Sequence, residues 1–503
     1  MKEKYISTRG GQKNISASQG IIAGLAADGG LFVPSFIHDI HLDLKQYANM
    51  KYGDLAEAIF SEFLDDFTPE QIHRCVSRAY YSGKFEEKEP VCVKTVGNRS
   101  FLELYHGPTC AFKDMALTIL PHLMTTSMAI QSIRREILIL TATSGDTGKA
   151  ALAGFADVPG INIMVYYPKD GVSTIQEKQM LTQEGANTAV VGVNGNFDDT
   201  QNGVKIIFGD KAFNDTLEAH GYQLSSANSI NIGRLLPQIV YYFYSYYQLV
   251  RQQRITLGDP VNFVVPTGNF GNILAGYYAS LIGLPVNRFI CASNANNVLT
   301  DFLSDGRYDR NRPFYKTISP SMDILISSNL ERLLFDLADG DTALIAQLMA
   351  QLSKEGRYTI PPAMKERADA LFYGGYADEK DTAAAIKSLY ENYDYLMDPH
   401  TAVASKVYDN YLAETGDRTP AIILSTASPY KFGHAVYESI FDSIPAGLSD
   451  YDVLKALSHE TGVPIPGPLK DLNKKANRHD KTCEKAGMPQ CIQEFIQERG
   501  PSR

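Results

Sequence analysis

The sequence lacks several features that mark common classes of protein. Its six cysteines form no CxxC pair and no zinc-ligand spacing, and they are scattered as in proteins of a reducing cytosol. No run of about 18 apolar residues is present, so we expect no membrane span. The first residues, Met-Lys-Glu-Lys-Tyr, include no apolar core of a signal peptide. These absences favour a cytoplasmic protein.

A basic stripe is also missing. The 503 residues include 47 Lys and Arg against 57 Asp and Glu, a net charge of −10, which argues against a nucleic-acid partner. The same acidity repels anions at long range, so an anion site must be built locally from backbone amides and a few cations. The ten histidines have no HExxH or similar spacing, and we therefore predict no metal site.

The remaining pattern is that of an α/β protein. Hydrophobic content is 44% and charged content 21%, which is ordinary for a soluble globular chain, and the length allows two or three domains. Short apolar runs at 137–140, 161–167, 188–193, 261–266 and 421–424 are typical of buried strands. Helical patterns separate them, and this alternation predicts a mainly parallel sheet.

Polar loops follow three of these strands, at 143–148, 267–272 and 425–428. In an open parallel sheet, ligands bind beyond the carboxyl ends of the strands. The first two loops open into helices, whose N-terminal amides bind anions. Position 143 is Thr and position 150 is Ala, so the first loop is no P-loop. Taken alone, each loop is equally an ordinary strand-to-helix turn.

Lys113 lies in a mostly apolar segment, residues 106–115, after a Gly-Pro turn. The apolar run behind it has helical propensity and meets Pro121, so Lys113 is predicted near the start of a helix. Two interpretations remain open on the residues alone. One is a surface lysine whose stem lies along apolar groups. The other is a buried amine of lowered pKa that can form a Schiff base.

Several segments resemble the threonine synthase family, pyridoxal-phosphate enzymes of the tryptophan synthase β-type fold. The resemblance rests first on 106–114 (HGPTCAFKD), 143–148 (TSGDTG) and 268–272 (GNFGN). Further similar segments are 5–10, 24–31, 228–235, 321–323, 398–402 and 424–427. Similarity extends from near residue 5 to about residue 469.

The resemblance implies a fold-type II architecture, with two open, mainly parallel α/β domains and an N-terminal unit. Residues 1–90 would form that unit. Residues 91–120 and 250–469 would form the large cofactor-binding domain, and residues 121–249 a smaller, mobile domain carrying the substrate-carboxylate loop. Residues 470–503 are a polar C-terminal tail to which no role is assigned.

The implied cofactor is pyridoxal 5'-phosphate. Lys113 would hold it covalently and later move the protons of the reaction. Thr426, beside Ser425, would face the ring nitrogen, and Asp146 the ring hydroxyl, in a protonation state that the sequence leaves open. The cofactor phosphate would be held by the loop residues Gly268, Asn269, Phe270, Gly271 and Asn272. His106 and Asp114 are interpreted as supports that orient the loop and cap the helix.

The implied substrate is O-phospho-L-homoserine. Its carboxylate would bind Ser144, Gly145 and Thr147, and its phosphate would bind Asn228, Ser229 and Arg234.

The implied activity is threonine synthase, a carbon–oxygen lyase of threonine biosynthesis acting by γ-elimination of phosphate and β-addition of water, in a monomer or homodimer. Two alternatives remain. One is a related lyase or dehydratase that yields 2-oxobutyrate. The other is a non-catalytic anion- or nucleotide-binding protein.

Overall fold

The N-terminal segment folds from two short strands and four helices in the computed structural model, which describes residues 4–499. The elements are β1 (Tyr5–Ser7), α1 (Ala17–Ala23), β2 (Phe32–Pro34), α2 (Leu44–Tyr47), α3 (Tyr52–Phe63) and α4 (Pro69–Tyr80). Helix α4 begins at Pro69, because the Thr68 side chain accepts a hydrogen bond from the N–H of Gln71 and Pro69 has no N–H that needs an acceptor. The apolar faces of α3 and α4 join the main core.

The next part of the chain supplies six strands and seven helices. They are β3 (Cys92–Val96), β4 (Arg99–Glu103), α5 (Asp114–Leu117), α6 (Leu120–Ile130), β5 (Glu136–Ala142), α7 (Asp146–Phe155), β6 (Ile161–Pro168), α8 (Thr174–Leu181), β7 (Thr188–Asn194), α9 (Phe197–Gly209), α10 (Lys211–Ala219), β8 (Tyr222–Ser225) and α11 (Ile232–Arg251). Helix α11 is buried along almost its whole length, including the rings of Tyr241 and Tyr242.

The remainder of the chain supplies the last seven strands and ten α-helices of residues 4–499. Its elements are β9 (Val261–Pro266), α12 (Gly271–Leu281), β10 (Val286–Ser293), α13 (Val298–Asp305), β11 (Arg307–Asp309), α14 (Leu330–Leu337), α15 (Thr342–Glu355), β12 (Arg357–Thr359), α16 (Pro362–Leu371), β13 (Phe372–Tyr376), α17 (Glu379–Tyr393), α18 (Pro399–Thr415), β14 (Ala421–Ser425), α19 (Gly433–Phe441), α20 (Asp450–Thr461), β15 (Thr482–Glu484) and α21 (Met488–Arg499).

Two larger sheets organise these elements. The six-stranded sheet has the order β13-β10-β9-β14-β4-β3, and all neighbours are parallel except the antiparallel pair β3–β4. The five-stranded sheet has the order β15-β7-β6-β5-β8 and is parallel throughout. Its edge strand β15 comes from the C-terminal tail and pairs with the last residues of β7. The predicted mainly parallel α/β fold is therefore confirmed.

The five strands predicted from apolar runs are all present, with ends that agree within one or two residues. Strand β10 was not predicted, because its first residues, Val-Asn-Arg, are polar enough to break the apolar pattern. The domain boundaries remain predictions. In residues 4–499 no helix combines the length and apolar character that a membrane crossing needs.

Candidate active site

Lys113 lies immediately before α5, on a loop joined to the end of β14. The N–H of Phe112 donates to the carbonyl O of Thr426 over 2.8 Å, and Ala111 and Ala427 form an isolated β-bridge. The Lys113 side chain is only 10% exposed. Its Nζ lies 3.2 Å from Ser321 Oγ. The surface-lysine interpretation is therefore wrong.

Burial shapes the electrostatics of the Lys113 amine. Desolvation is the main effect and lowers its pKa to about 8. The Asp146 carboxylate, 3.7 Å away, works in the opposite direction, while the cations Lys431 and Arg234 lower the pKa further. An amine of this pKa has a much larger neutral fraction near physiological pH than an ordinary lysine, and the neutral form is the one that acts as a nucleophile or base.

Asp146 opens α7 and faces two lysines. Its Oδ1 lies 2.7 Å from Lys431 Nζ and accepts a hydrogen bond of 2.8 Å from Gln176 Nε2. Its Oδ2 lies 3.4 Å from Ser321 Oγ. Burial alone would raise the pKa of this carboxyl, but the ammonium of Lys431, followed by that of Lys113, holds the pKa well below its usual range. Asp146 is accordingly ionised.

The loop 143–148, which the sequence predicts to bind the substrate carboxylate, leads into the same helix. Thr143 Oγ1 accepts hydrogen bonds from the N–H groups of Gly145 (2.9 Å) and Gly148 (2.8 Å), which curls the loop over the end of β5. Ser144 and Thr147 are partly exposed on it. The structure thus brings Ser144, Gly145 and Thr147 beside Asp146.

The loop after β9 is hydrogen-bonded to the segment that precedes α14. Ser327 Oγ donates to the carbonyl O of Gly268 (2.8 Å), and the Asn329 side chain donates to that of Asn269 (3.0 Å). Phe270 has a left-handed backbone (φ 61°), which turns the chain into α12. Gly271 and Asn272 then form the first turn of this 11-residue helix, where amide groups are free to bind an anion.

The predicted substrate-phosphate residues lie beside this loop. Ser229 Oγ accepts from Asn329 Nδ2 (3.1 Å), so Asn329 contacts both loops. The N–H of Asn228 donates to Ser226 Oγ, 3.1 Å away, on the same loop. Arg234 is buried, and its Nη1 donates to the carbonyl O of Ala227 over 2.9 Å. Desolvation lowers the pKa of Arg234 to about 10.

Two buried donors near these loops have no acceptor in the part of the chain that the structure describes: Asn272 Nδ2 and Arg234 Nε. The Oδ1 of Asn272 is used by the hydroxyl groups of Tyr241 (2.7 Å) and Tyr242 (2.9 Å), which leaves Nδ2 free to donate. Unsatisfied buried donors are costly and indicate a missing acceptor. An amine, helix amides and free donors together fit a phosphate-bearing aldehyde cofactor and a phosphorylated substrate.

Three further residues connect to Lys113 that the sequence-based site did not include. Ser321 lies in a 3-10 turn, Pro320–Met322, and its N–H donates to His400 Nε2 over 3.1 Å. His400 Nδ1 then donates to Asp398 Oδ1 over 2.7 Å. Since Nε2 accepts, the imidazole proton lies on Nδ1. The segments 321–323 and 398–402 resembled the family without an assigned role, and that resemblance was the available signal.

Lys431 is a fourth residue near Lys113 that the sequence-based site did not include. It lies in the 3-10 turn Pro429–Phe432, is fully buried, and donates to the carbonyl O of Thr109 over 2.9 Å as well as pairing with Asp146. Thr426, which starts the same loop, is buried at the end of β14. The one sequence signal for Lys431 is its position five residues after Thr426.

The supports of the Lys113 loop form two separate groups. Asp114 accepts hydrogen bonds from the N–H of Thr109 (2.8 Å) and from its hydroxyl (2.6 Å). His106 Nε2 lies 2.9 Å from Glu103 Oε2, and Cys92 completes a group with metal-ligand spacing. The hairpin of β3 and β4 creates this proximity, which linear spacing does not reveal. Glu103 is already paired with Lys94 at 3.1 Å, so hydrogen bonds and an ion pair account for the group.

Three family models and several individual proteins match the sequence of this chain. Residues 4–80 match the family described as Threonine synthase N terminus, residues 100–426 match Pyridoxal-phosphate dependent enzyme, and residues 401–487 match Threonine synthase, C-terminal. The threonine synthase of Saccharomyces cerevisiae is 36% identical over 497 residues, covering 93% of each chain. The human protein Threonine synthase-like 1 is 40% identical over 457 residues, covering 87% of this chain. This chain spans 61% of that longer relative.

Solved structures agree with the sequence comparison. The pyridoxal-phosphate-bound threonine synthase of Brucella melitensis superposes with a TM-score of 0.85 at 33% identity, covering 99% of this chain and 100% of that one. The yeast threonine synthase gives a TM-score of 0.86 at 33% identity, covering 99% of both chains.

Proposed function

The chain belongs to the threonine synthase family of pyridoxal-phosphate-dependent enzymes, and from this membership we propose that it converts O-phospho-L-homoserine and water to L-threonine and phosphate. One observation carries the proposal. The buried amine of Lys113 lies 3.7 Å from the ionised Asp146 at the start of α7, and Ser321, 3.2 Å from the same amine, lies against Gly268 in the loop before α12. Such an arrangement suits an enzyme in which a phosphorylated amino acid reacts with a phosphorylated cofactor.

We assign the cofactor a place in the site from the groups around Lys113. When bound, pyridoxal 5'-phosphate supplies an electron-accepting ring that makes protons beside the amino group easier to remove. Lys113 Nζ would hold its aldehyde carbon, and the Thr426 hydroxyl would face the ring nitrogen. Asp146 Oδ2 would face the ring hydroxyl. The phosphate would be bound by the amides of 268–272 and by Asn272 Nδ2, which has no other acceptor among residues 4–499.

The substrate would be bound by two further groups of residues. Ser144, Gly145 and Thr147 would bind the carboxylate at the N-terminus of α7. Asn228, Ser229 and Arg234 would bind the substrate phosphate, with Arg234 supplying the charge. Arg234 suits this role because it is buried and has no carboxylate partner in the described part of the chain.

Lys113 would then move the protons. Its lowered pKa leaves a useful neutral fraction to accept the α proton, and the protonated amine can return it in the last step. Between these steps a β proton leaves, phosphate departs from the γ carbon, this carbon takes up a proton to become a methyl group, and the hydroxyl of water adds at the β carbon. The departing phosphate, held beside Arg234, would assist the addition of water.

The remaining assignments are proposed on the same basis. Residues 121–249 would form the smaller domain that moves against the cofactor domain, 91–120 with 250–469, after the N-terminal unit 1–90. The protein would act in the cytoplasm, which its six free cysteines support, as a monomer or homodimer.

A product assay tests the proposal. With O-phospho-L-homoserine, the protein should release phosphate and threonine in equal amounts, whereas 2-oxobutyrate would identify the related lyase. Lys113→Ala should abolish both the activity and the visible absorbance of the bound cofactor, and Lys211→Ala, an exposed lysine, should change neither. A colourless wild type after reconstitution would support a non-catalytic protein and refute our assignment.

Arg234→Ala tests the phosphate pocket separately. We expect this variant to lose the preference for phosphorylated over unphosphorylated homoserine. Arg251→Ala is the matched control, because Arg251 is exposed at the end of the same helix, where it donates to the backbone carbonyls of Ala48 and Met50 and lies over the Tyr244 ring. An Arg234→Ala variant of normal selectivity would rule out the assigned pocket.

A further inference from the structure

The two oxygens of Asp146 have unequal partners. Oδ1 is held at 2.7 Å by Lys431 Nζ and at 2.8 Å by Gln176 Nε2. Among residues 4–499, the contacts of Oδ2 are longer, 3.4 Å to Ser321 Oγ and 3.7 Å to Lys113 Nζ. One oxygen is therefore fixed by two donors, while the other is turned toward the amine that would hold the cofactor.

The ammonium group of Lys431 is bound by protein groups. Its side chain is fully buried, and Nζ also donates to the carbonyl O of Thr109. Thr109 belongs to the loop that carries Lys113, and it is itself bound to Asp114. A buried ammonium needs a carboxylate. Among residues 4–499, Asp146 is the carboxylate paired with it.

We propose that Lys431 is a positioning residue that clamps Oδ1 of Asp146, keeps this carboxylate ionised and leaves Oδ2 to face Lys113 and the cofactor ring. The inference rests on the proposed function, since it assigns a role to a group beside the cofactor lysine. It also gives Lys431 a second effect, because its positive charge opposes protonation of the Lys113 amine.

The groups that face Lys113 set the direction of this second effect. Asp146, on α7, favours the protonated amine, whereas Lys431 and Arg234, on the 3-10 turn after β14 and on α11, disfavour it. Ser321, on its own turn, offers a hydroxyl group without charge. Without Lys431, Lys113 would be the remaining lysine paired with Asp146 among residues 4–499, and the two groups would pair more closely. The amine would then hold its proton to a higher pH.

Competitive labelling of amines tests the proposal on the full-length protein freed of cofactor. Isotopic acetic anhydride is applied across pH 6 to 11 (roughly spanning the lysine range), and mass spectrometry of the Lys113 peptide gives the pKa of its amine. The variants are Lys431→Met, which removes the charge, and Lys431→Gln, which keeps a hydrogen-bond donor. Lys149→Met is the control, since Lys149 lies on α7 with Asp146 but donates to Gln183.

We expect the pKa of Lys113 to rise by roughly one pH unit in both Lys431 variants and to stay unchanged in the control. A purely structural role predicts instead that glutamine restores the wild-type value. An unchanged Lys113 pKa in folded Lys431→Gln would overturn the proposal, and this variant decides the matter if the methionine variant unfolds. Failure of the proposed function would be seen separately, as a wild type that gains no visible absorbance with pyridoxal phosphate.

Discussion

Replacing Gly268 by alanine is expected to weaken cofactor binding. A Cβ atom at this position would lie 2.6 Å from the carbonyl O of Ser321. Ordinary contacts begin near 3.4 Å, so the loop after β9 and the Ser321 turn must separate by about 0.8 Å, the difference between the two distances. The neighbouring atom is backbone, which cannot rotate away as a flexible side chain can.

The size of the effect follows from how firmly both segments are held. The Ser321 N–H is bound to His400, and the carbonyl O of Gly268 is bound to Ser327 Oγ. Forcing an extra carbon atom into such a contact typically costs about 1–3 kcal/mol. If the loop moves to relieve the contact, its amides leave the phosphate position, and the Kd of the cofactor rises by about 5- to 150-fold.

The assay is a titration of the cofactor-free protein with pyridoxal phosphate, followed by visible absorbance. Gly209→Ala serves as the control, because a Cβ there meets no atom within 4 Å. The unfolding midpoint of each variant is measured in parallel to detect loss of fold. A Gly268→Ala protein that binds the cofactor as tightly as Gly209→Ala would show that this close approach does not shape the phosphate site.

Three other predictions concern the surroundings of Lys113. Because the neutral amine reacts with the cofactor aldehyde and its pKa is lowered to about 8, the rate of cofactor capture in stopped-flow should rise with pH and level off above about pH 9. A rate that is still rising at about pH 10, where an ordinary lysine titrates, would contradict the assigned burial. Asp146→Asn removes a charge that raises this pKa, so the midpoint of the same profile should move to lower pH; an unchanged midpoint would show that the 3.7 Å approach has no electrostatic effect. His400→Phe leaves the partly buried N–H of Ser321 without its acceptor and should cost about 1–3 kcal/mol of unfolding free energy in urea; a loss below about 0.5 kcal/mol would indicate that the hydrogen bond is replaced.

Much of the fold could be predicted because it depends on local periodicity. The run 161–167 has hydrophobic residues at six of its seven positions, which is typical of a strand buried on both faces, and β6 occupies nearly the same residues. The position of Lys113 at a helix start followed from the Gly-Pro turn before it and the apolar run after it. The resemblance to a family added the order of the loops, which the parallel sheets then bring to their carboxyl ends.

The partners of the C-terminal tail could not be predicted in this way. Residues 470–503 are polar, and no local pattern shows that Thr482–Glu484 pairs with Gly192, Val193 and Asn194. Strand pairing between distant segments is decided by register and by the open edge of β7, and neither is encoded within the short segment itself.

The sequence by itself determined which residues could carry the chemistry: an amine on a turn, two loops rich in glycine and hydroxyl groups, and a hydroxyl at a strand end. The tertiary structure decided their ionisation. Asp146 has an open protonation state when read in sequence, but it is a carboxylate in the fold because Lys431 lies 2.7 Å from it. A pKa depends on charges and burial within a few ångströms in space, and the fold alone determines which distant residues lie within that distance.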